Sequence, residues 1–258
     1  MDFSNGYFVK ECEEIEGLNS LRLQVFNLIR EEFDIECNDV DKVLNQLHEF
    51  IGDISEIDFN ERRMLLLKKI NENINFKELI FSSFKDTILA LLGPDLLVQK
   101  NCNIVIQRPN DNNPSELHRD APSNSPYEVV LWIPLVNCFK TKAMYLVDHK
   151  STIELYDNLD KTQDWERFEK DAIDKSILVP VNFGEALFFS TAVLHGSHIN
   201  IETETRISLN VRFKNIFSPS GLKNQLLFFE KFLVSDLVKI GSELEFKKLN
   251  LKNKTNEN

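Results

Sequence analysis

The chain has 258 residues, of which 42% are hydrophobic and 28% charged, with a formal net charge of −11. That length buries one substantial core and predicts a single domain over residues 1–258. The acidic excess argues against a nucleic acid or an anionic membrane as partner, because no surplus of cations offsets phosphate charge.

The four cysteines, Cys12, Cys37, Cys102 and Cys138, are scattered without a CxxC pair. This predicts reduced thiols rather than a disulfide framework. The opening segment MDFSNGYFVKECEEIEG lacks the basic-then-apolar layout of a signal peptide, and no apolar run approaches the ~20 residues that span a bilayer. The expectation is a soluble, cytoplasmic protein.

Residues 1–95 read as a helical layer. LNSLRLQVFNLIREEF places Leu21, Val25, Leu28 and Ile29 at three- and four-residue steps. DVDKVLNQLHEFIG repeats the pattern, with Asp39 or Asp41 as N-cap and Gly52 near the C-terminus. FNERRMLLLKKINEN and FKELIFSSFKDTILALLG follow, the latter closed by Gly93-Pro94. These stripes are packing faces. His48 falls on the second of these helices without a partner motif and is given no role.

From about residue 96 the period changes to two. NIVIQR, EVVLWIPLV, AMYLVD, SILVPV, EALFFS and RISLNVRF are short, rich in β-branched or aromatic residues, and separated by turn formers. One amphipathic helix, DNLDKTQDWERFEKDAI, interrupts them, and a last helix, GLKNQLLFFEKFLVSDLVKIG, precedes a polar tail. The expected architecture is α+β with a mainly β core: a β-sandwich or jelly roll at 96–217, the helical layer before it, and a C-terminal helix with polar tail at 218–258.

In LHRDAPSNSPYE, His118 and Asp120 flank Arg119. Residues two apart in extended chain share a face, so the imidazole and carboxylate can meet one ion. A lone His-x-Asp also fits an ordinary loop hydrogen bond. Later, STAVLHGSHIN supplies His195 and His198. Two histidines and a carboxylate compose the facial triad of non-haem Fe(II), which leaves open positions for substrate and O₂. A structural zinc site would close with four ligands, often cysteines. Either histidine could be the third ligand on this reading.

RISLNVRF alternates strictly. Ile207, Leu209, Val211 and Phe213 are apolar; Arg206, Ser208, Asn210 and Arg212 are polar. The polar set is either a solvated face or the lining of a cavity in which an arginine binds a carboxylate through two parallel hydrogen bonds.

Together LHRD, LHGS and RIS resemble the Fe(II)/2-oxoglutarate-dependent dioxygenases, most closely the phytanoyl-CoA hydroxylase-like branch. HGSHIN resembles that branch's segment around the third ligand. HRDAPSNSPYEVVLWIPLV and RISLNVRFKN look like oxygenases of bacterial carbohydrate-biosynthesis clusters. The resemblance implies a double-stranded β-helix core, with His118, Asp120 and His195 as Fe(II) ligands. It implies 2-oxoglutarate as cosubstrate with O₂, its distal carboxylate on Arg206, eleven residues after His195, with help from Ser208; Gln107 is a further candidate to contact it from a neighbouring strand. Arg206 and Arg212 share a strand face but lie ~20 Å apart along it, and the family register selects Arg206. An aspartate at position 120, rather than the small residue of related halogenases, implies hydroxylation or another reaction begun by the same hydrogen abstraction. MYLVDHKS departs from the branch's PGSH-like turn, and His149 is read as structural.

The substrate implied is a small molecule or glycan: a carbohydrate, a nucleotide sugar or a lipid-linked glycan. Tyr127, Trp132, Asn210 and Arg212 are candidate substrate contacts. Trp132, inside VVLWIPL, also suits plain core packing. Two other classes compete: a cupin-like sugar isomerase or epimerase that uses its metal as a Lewis acid, and a jelly-roll module that binds sugar without catalysis.

Overall fold

The structure, a computed structural model, describes residues 2–223 and 225–243. It opens on a strand, β1 (Tyr7–Glu11), followed by six helices: α1 (Ile15–Phe33), α2 (Val40–Asn45), α3 (Leu47–Ile51), α4 (Glu56–Asn73), α5 (Phe76–Ser83) and α6 (Lys85–Leu92). Then come β2 (Leu96–Gln99), β3 (Asn103–Gln107), β4 (Glu128–Pro134) and β5 (Met144–Leu146). Helices α7 (His149–Thr162) and α8 (Trp165–Lys175) precede β6 (Ile177–Val179), β7 (Glu185–Ser190), β8 (His195–Ser197) and β9 (Arg206–Asn215). Helix α9 (Gln225–Phe228) and β10 (Phe229–Leu233) follow, and residues 236–243 are helical.

The strands form two antiparallel sheets. The larger runs β1-β7-β4-β9-β2-β10, with β3 also paired to β9; the smaller runs β6-β5-β8. Strand β9 is the centre of the larger sheet. One edge pairs with β4, and the other is shared by β3 along Arg206–Asn210 and β2 along Phe213–Asn215. Its apolar residues Ile207, Leu209, Val211 and Phe213 are fully buried in one cluster with residues of α1, α4 and α5. Helix α1 packs on α4 and α5, so the helical layer covers one face of the sheet.

Helix starts follow local chemistry. Asp39, Ser55, Asp148 and Asp164 each accept a backbone N–H of the first turn of α2, α4, α7 and α8. Of the two candidate caps, Asp39 is the one used.

Five expectations need correction, among them the helix expected over 76–93, which breaks at Phe84 into α5 and α6. The first 95 residues are not all helical, because β1 adds to the edge of β7 and stacks Phe8 on Phe188 at 5.1 Å. The helix expected over 39–52 breaks at Gln46 into α2 and α3. The single amphipathic helix before β6 is two, because Gln163 turns left-handed (φ 56°) and Asp164 caps a new helix. The long C-terminal helix is interrupted by β10, which pairs with the free edge of β2. Phe232 there lies edge-on to Phe81 and Phe213. A short apolar run suits either period, and the open sheet edge decides it. The core sheet therefore draws strands from outside 96–217. The end of the expected polar tail, 244–258, lies outside the described residues.

Candidate metal centre

The segment after β3 returns alongside β8. His118 and His195 exchange both backbone hydrogen bonds (2.9 and 2.8 Å), Ser197 N–H donates to Ser115 O, and Ala121 N–H donates to Thr191 O. Gly196 permits this approach: a Cβ there would collide with the Tyr145 hydroxyl and crowd the Ser115 carbonyl. The pairing sets the two imidazoles 4.3 Å apart, centre to centre, and brings Asp120 beside them. One potential ligand atom from each of His118, Asp120 and His195 lies within 4.8 Å of the other two. Among the described residues this is the one such group of three.

Hydrogen bonds orient both rings. His118 Nδ1 lies 2.7 Å from Glu116 O, and His195 Nδ1 lies 3.0 Å from Val193 O. A carbonyl only accepts, so each Nδ1 carries the proton and each Nε2 of a neutral ring keeps a free lone pair. Burial, with the neighbouring His118, pulls the His195 pKa down to about 4. It is therefore neutral at pH 7, the form a metal requires. Burial acts to raise the Asp120 pKa, but Arg212 and the two imidazoles together outweigh it and hold the carboxyl below its usual range. Two neutral nitrogens and one carboxylate oxygen suit a divalent first-row metal.

The group opens into a cavity of about 440 Å³ between the sheets. The polar face of β9 lines it, so that face is not solvated: Arg206, Asn210 and Arg212 face the cavity with Gln107 and Trp132. Arg206 is 3% exposed, and its Nε and Nη1 have no partner. Ser208 Oγ, Gln107 Oε1 and Asn210 Oδ1 are also buried without partners. Gln107 sits opposite Arg206 across the strand pair, and its Nε2 donates to His198 O at 2.7 Å. Buried polar atoms are nearly always paired: the Arg206 N–H groups and the Ser208 hydroxyl offer donors to an anionic guest, whereas Gln107 Oε1 and Asn210 Oδ1 only accept and call for a guest hydroxyl or water. The ligand set fits Fe(II), and the unpartnered Arg206 and Ser208 donors fit a carboxylate of 2-oxoglutarate.

The remaining candidates separate. Trp132 belongs to the core and the cavity wall at once. Tyr127 is 57% exposed and lies outside the cavity. Arg212, read as a substrate contact, lines the cavity and also pairs with Asp120, Nη2 to Oδ2 at 2.8 Å. His198 packs on Tyr145 with ring centres 4.7 Å apart and is not in the metal group. His149 opens α7, its N–H donating to Asn5 O, and His48 Nδ1 lies 2.8 Å from Thr205 Oγ1. Sequence reasoning missed Asn103, Asp111, Asn113 and Phe189, which also line the cavity. Asn103 shares the parity of Gln107 on β3, which was a usable signal; Phe189 carried none.

No family model matches the sequence, and no curated protein matches it either. Solved structures do match, and they place the fold with the non-heme oxygenases. The non-heme monooxygenase ThoJ in a nickel complex superposes with a TM-score of 0.55 at 13% identity, covering 97% of this chain and 95% of that one. The non-heme alpha-ketoglutarate-dependent carbocyclase SnoK from nogalamycin biosynthesis gives 0.53 at 18% identity, over 86% and 84%. AviO1 from Streptomyces viridochromogenes Tue57 gives 0.50 at 18%, over 85% and 94%. At these identities the likeness is one of fold. Among the described residues no helix is long and apolar enough to cross a membrane.

Proposed function

We propose that this chain is an Fe(II)/2-oxoglutarate-dependent oxygenase of the phytanoyl-CoA hydroxylase-like branch, built on a double-stranded β-helix. Its reaction is hydroxylation, or another oxidation of a C–H bond, with release of succinate and CO₂. The observation that carries the reading is one juxtaposition: three converging ligand atoms share a cavity with a buried arginine whose Nε and Nη1 are unpartnered.

The chain's own residues then have distinct tasks. His118, Asp120 and His195 hold the metal, each imidazole presenting Nε2 because a carbonyl holds its Nδ1 proton. Arg206 receives the distal carboxylate of 2-oxoglutarate, with Ser208 and Gln107 completing its hydrogen bonds. Iron, once bound with its cosubstrate, supplies O₂ activation. The protein contributes binding, orientation and exclusion of water.

The substrate class in this reading is a carbohydrate, nucleotide sugar or lipid-linked glycan. It is supported by the sequence resemblance to carbohydrate-cluster oxygenases and by the cavity's lining of Asn103, Asp111, Asn113 and Ser115, which offers hydrogen bonds to hydroxyl groups. The four free cysteine thiols suit the cytoplasm. Anaerobic addition of Fe(II) and 2-oxoglutarate tests the cofactors: chelation gives a weak visible charge-transfer band, and its absence refutes the oxygenase. Succinate release then tests the substrate. Stimulation by a sugar nucleotide or lipid-linked glycan is expected; stimulation by a fatty acyl-CoA or peptide alone overturns the substrate class.

A further inference from the structure

Arg212 stands across a single carboxylate from the candidate metal position. Its Nη2 donates to Asp120 Oδ2 at 2.8 Å, and its Nη1 donates to Gln99 Oε1 at 3.3 Å. Both members of the ion pair are largely buried, with side chains 14% and 13% exposed. The guanidinium also lies 5.9 Å from the Phe228 ring, so β2, α9 and β9 together fix where it points. Asp120 is the one carboxylate in the metal group.

We infer that Arg212 is a positioning residue that reserves one oxygen of Asp120, so that the carboxylate meets the metal through the other oxygen alone. The inference rests on the Fe(II)/2-oxoglutarate reading and goes beyond it. A carboxylate that gives both oxygens to one ion takes two coordination positions. A triad so bound leaves fewer sites than a two-pronged cosubstrate and O₂ need. A charge-assisted hydrogen bond from an always-protonated guanidinium competes for that second oxygen. Arg212 also adds a fixed positive charge beside the ion. That charge repels a dication and attracts a dianion.

Both effects give removal of Arg212 consequences of opposite sign. The metal gains a second oxygen and loses a repelling neighbour, so it binds more tightly. The dianionic cosubstrate loses an attracting charge and an open position, so it binds more weakly. A purely structural role predicts that both affinities fall with stability.

Calorimetric titration of the full chain separates these outcomes. Ni(II) serves as a metal that binds without O₂ chemistry, and 2-oxoglutarate is then titrated into the Ni(II)-loaded protein. Arg212→Met should bind Ni(II) about tenfold more tightly and 2-oxoglutarate at least about tenfold more weakly, the scale of one charge–charge interaction at high effective dielectric. Arg212→Lys, which keeps the charge but not the fork, should fall between wild type and Arg212→Met in both titrations. Should Arg212→Met fail to fold, Arg212→Gln gives the same pair of shifts. Weakening of both ligands, or no change in either, overturns the inference while leaving the oxygenase reading intact. A wild type that binds no Ni(II) removes both together.

Discussion

Arg206→Ala tests the cosubstrate site with two readouts that move in different directions. The guanidinium is 3% exposed, and its Nε and Nη1 have no partner. Desolvation by burial already lowers its pKa. A buried, unpaired charge costs several kcal/mol in a free protein, so removing it should not destabilise the ligand-free fold. Binding is another matter. Once a carboxylate pairs with Arg206, loss of the arginine costs about 2–5 kcal/mol, or about 30- to several-thousand-fold in affinity. Thermal unfolding with and without 2-oxoglutarate, in the presence of a divalent metal, reads both effects. The wild type should gain about 2.7 kcal/mol at a hundred times its dissociation constant. Arg206→Ala should unfold at or above the wild-type temperature without ligand and gain at most about 0.9 kcal/mol, a third of the wild-type stabilisation, at the same concentration. Arg206→Lys should restore part of the upshift, because an ammonium lacks the two-pronged geometry. An equal ligand-induced upshift in wild type and Arg206→Ala would refute the argument.

His195→Ala should abolish metal binding and turnover, while His198→Ala should keep the metal because its ring packs on Tyr145 instead; loss of metal only in the latter exchanges their roles. Leu209→Ala, in the fully buried face of β9, should cost about 2–5 kcal/mol in a urea titration, and a loss below about 1 kcal/mol would place that face outside the core. Burial pushes the thiols of Cys102 and Cys138 up to about 12, so iodoacetamide at mildly alkaline pH should alkylate neither in the native protein and both after unfolding; rapid native labelling contradicts their burial.

Much of the site was legible from local pattern. Alternation in RISLNVRF separates the residues that pack under the helices from those that face the cavity, because successive side chains on a strand point to opposite faces. The spacing of His118 and Asp120 announced a shared direction for the same reason. Alternation alone left two outcomes for the polar face, water or a cavity. The second sheet decides between them: β5 and β8 place Met144 and His195–Ser197 in the walls of the same cavity as Arg206, Asn210 and Arg212.

What the sequence by itself determined were most of the periodic elements, the cap at Asp39, and a short set of residues able to bind a metal or an anion. These depend on neighbours a few positions away, where helix and strand geometry dictates who meets whom. Tertiary structure alone decided which partners those residues take. Arg212 and Asp120 are 92 positions apart in the chain, and their ion pair exists only because the His118 segment folds back beside β8. The strand β10 likewise forms where the edge of β2 is free, against a local pattern that reads as helix. Such contacts are chosen by the closure of the whole chain around its sheets, a condition that no window of neighbouring residues contains.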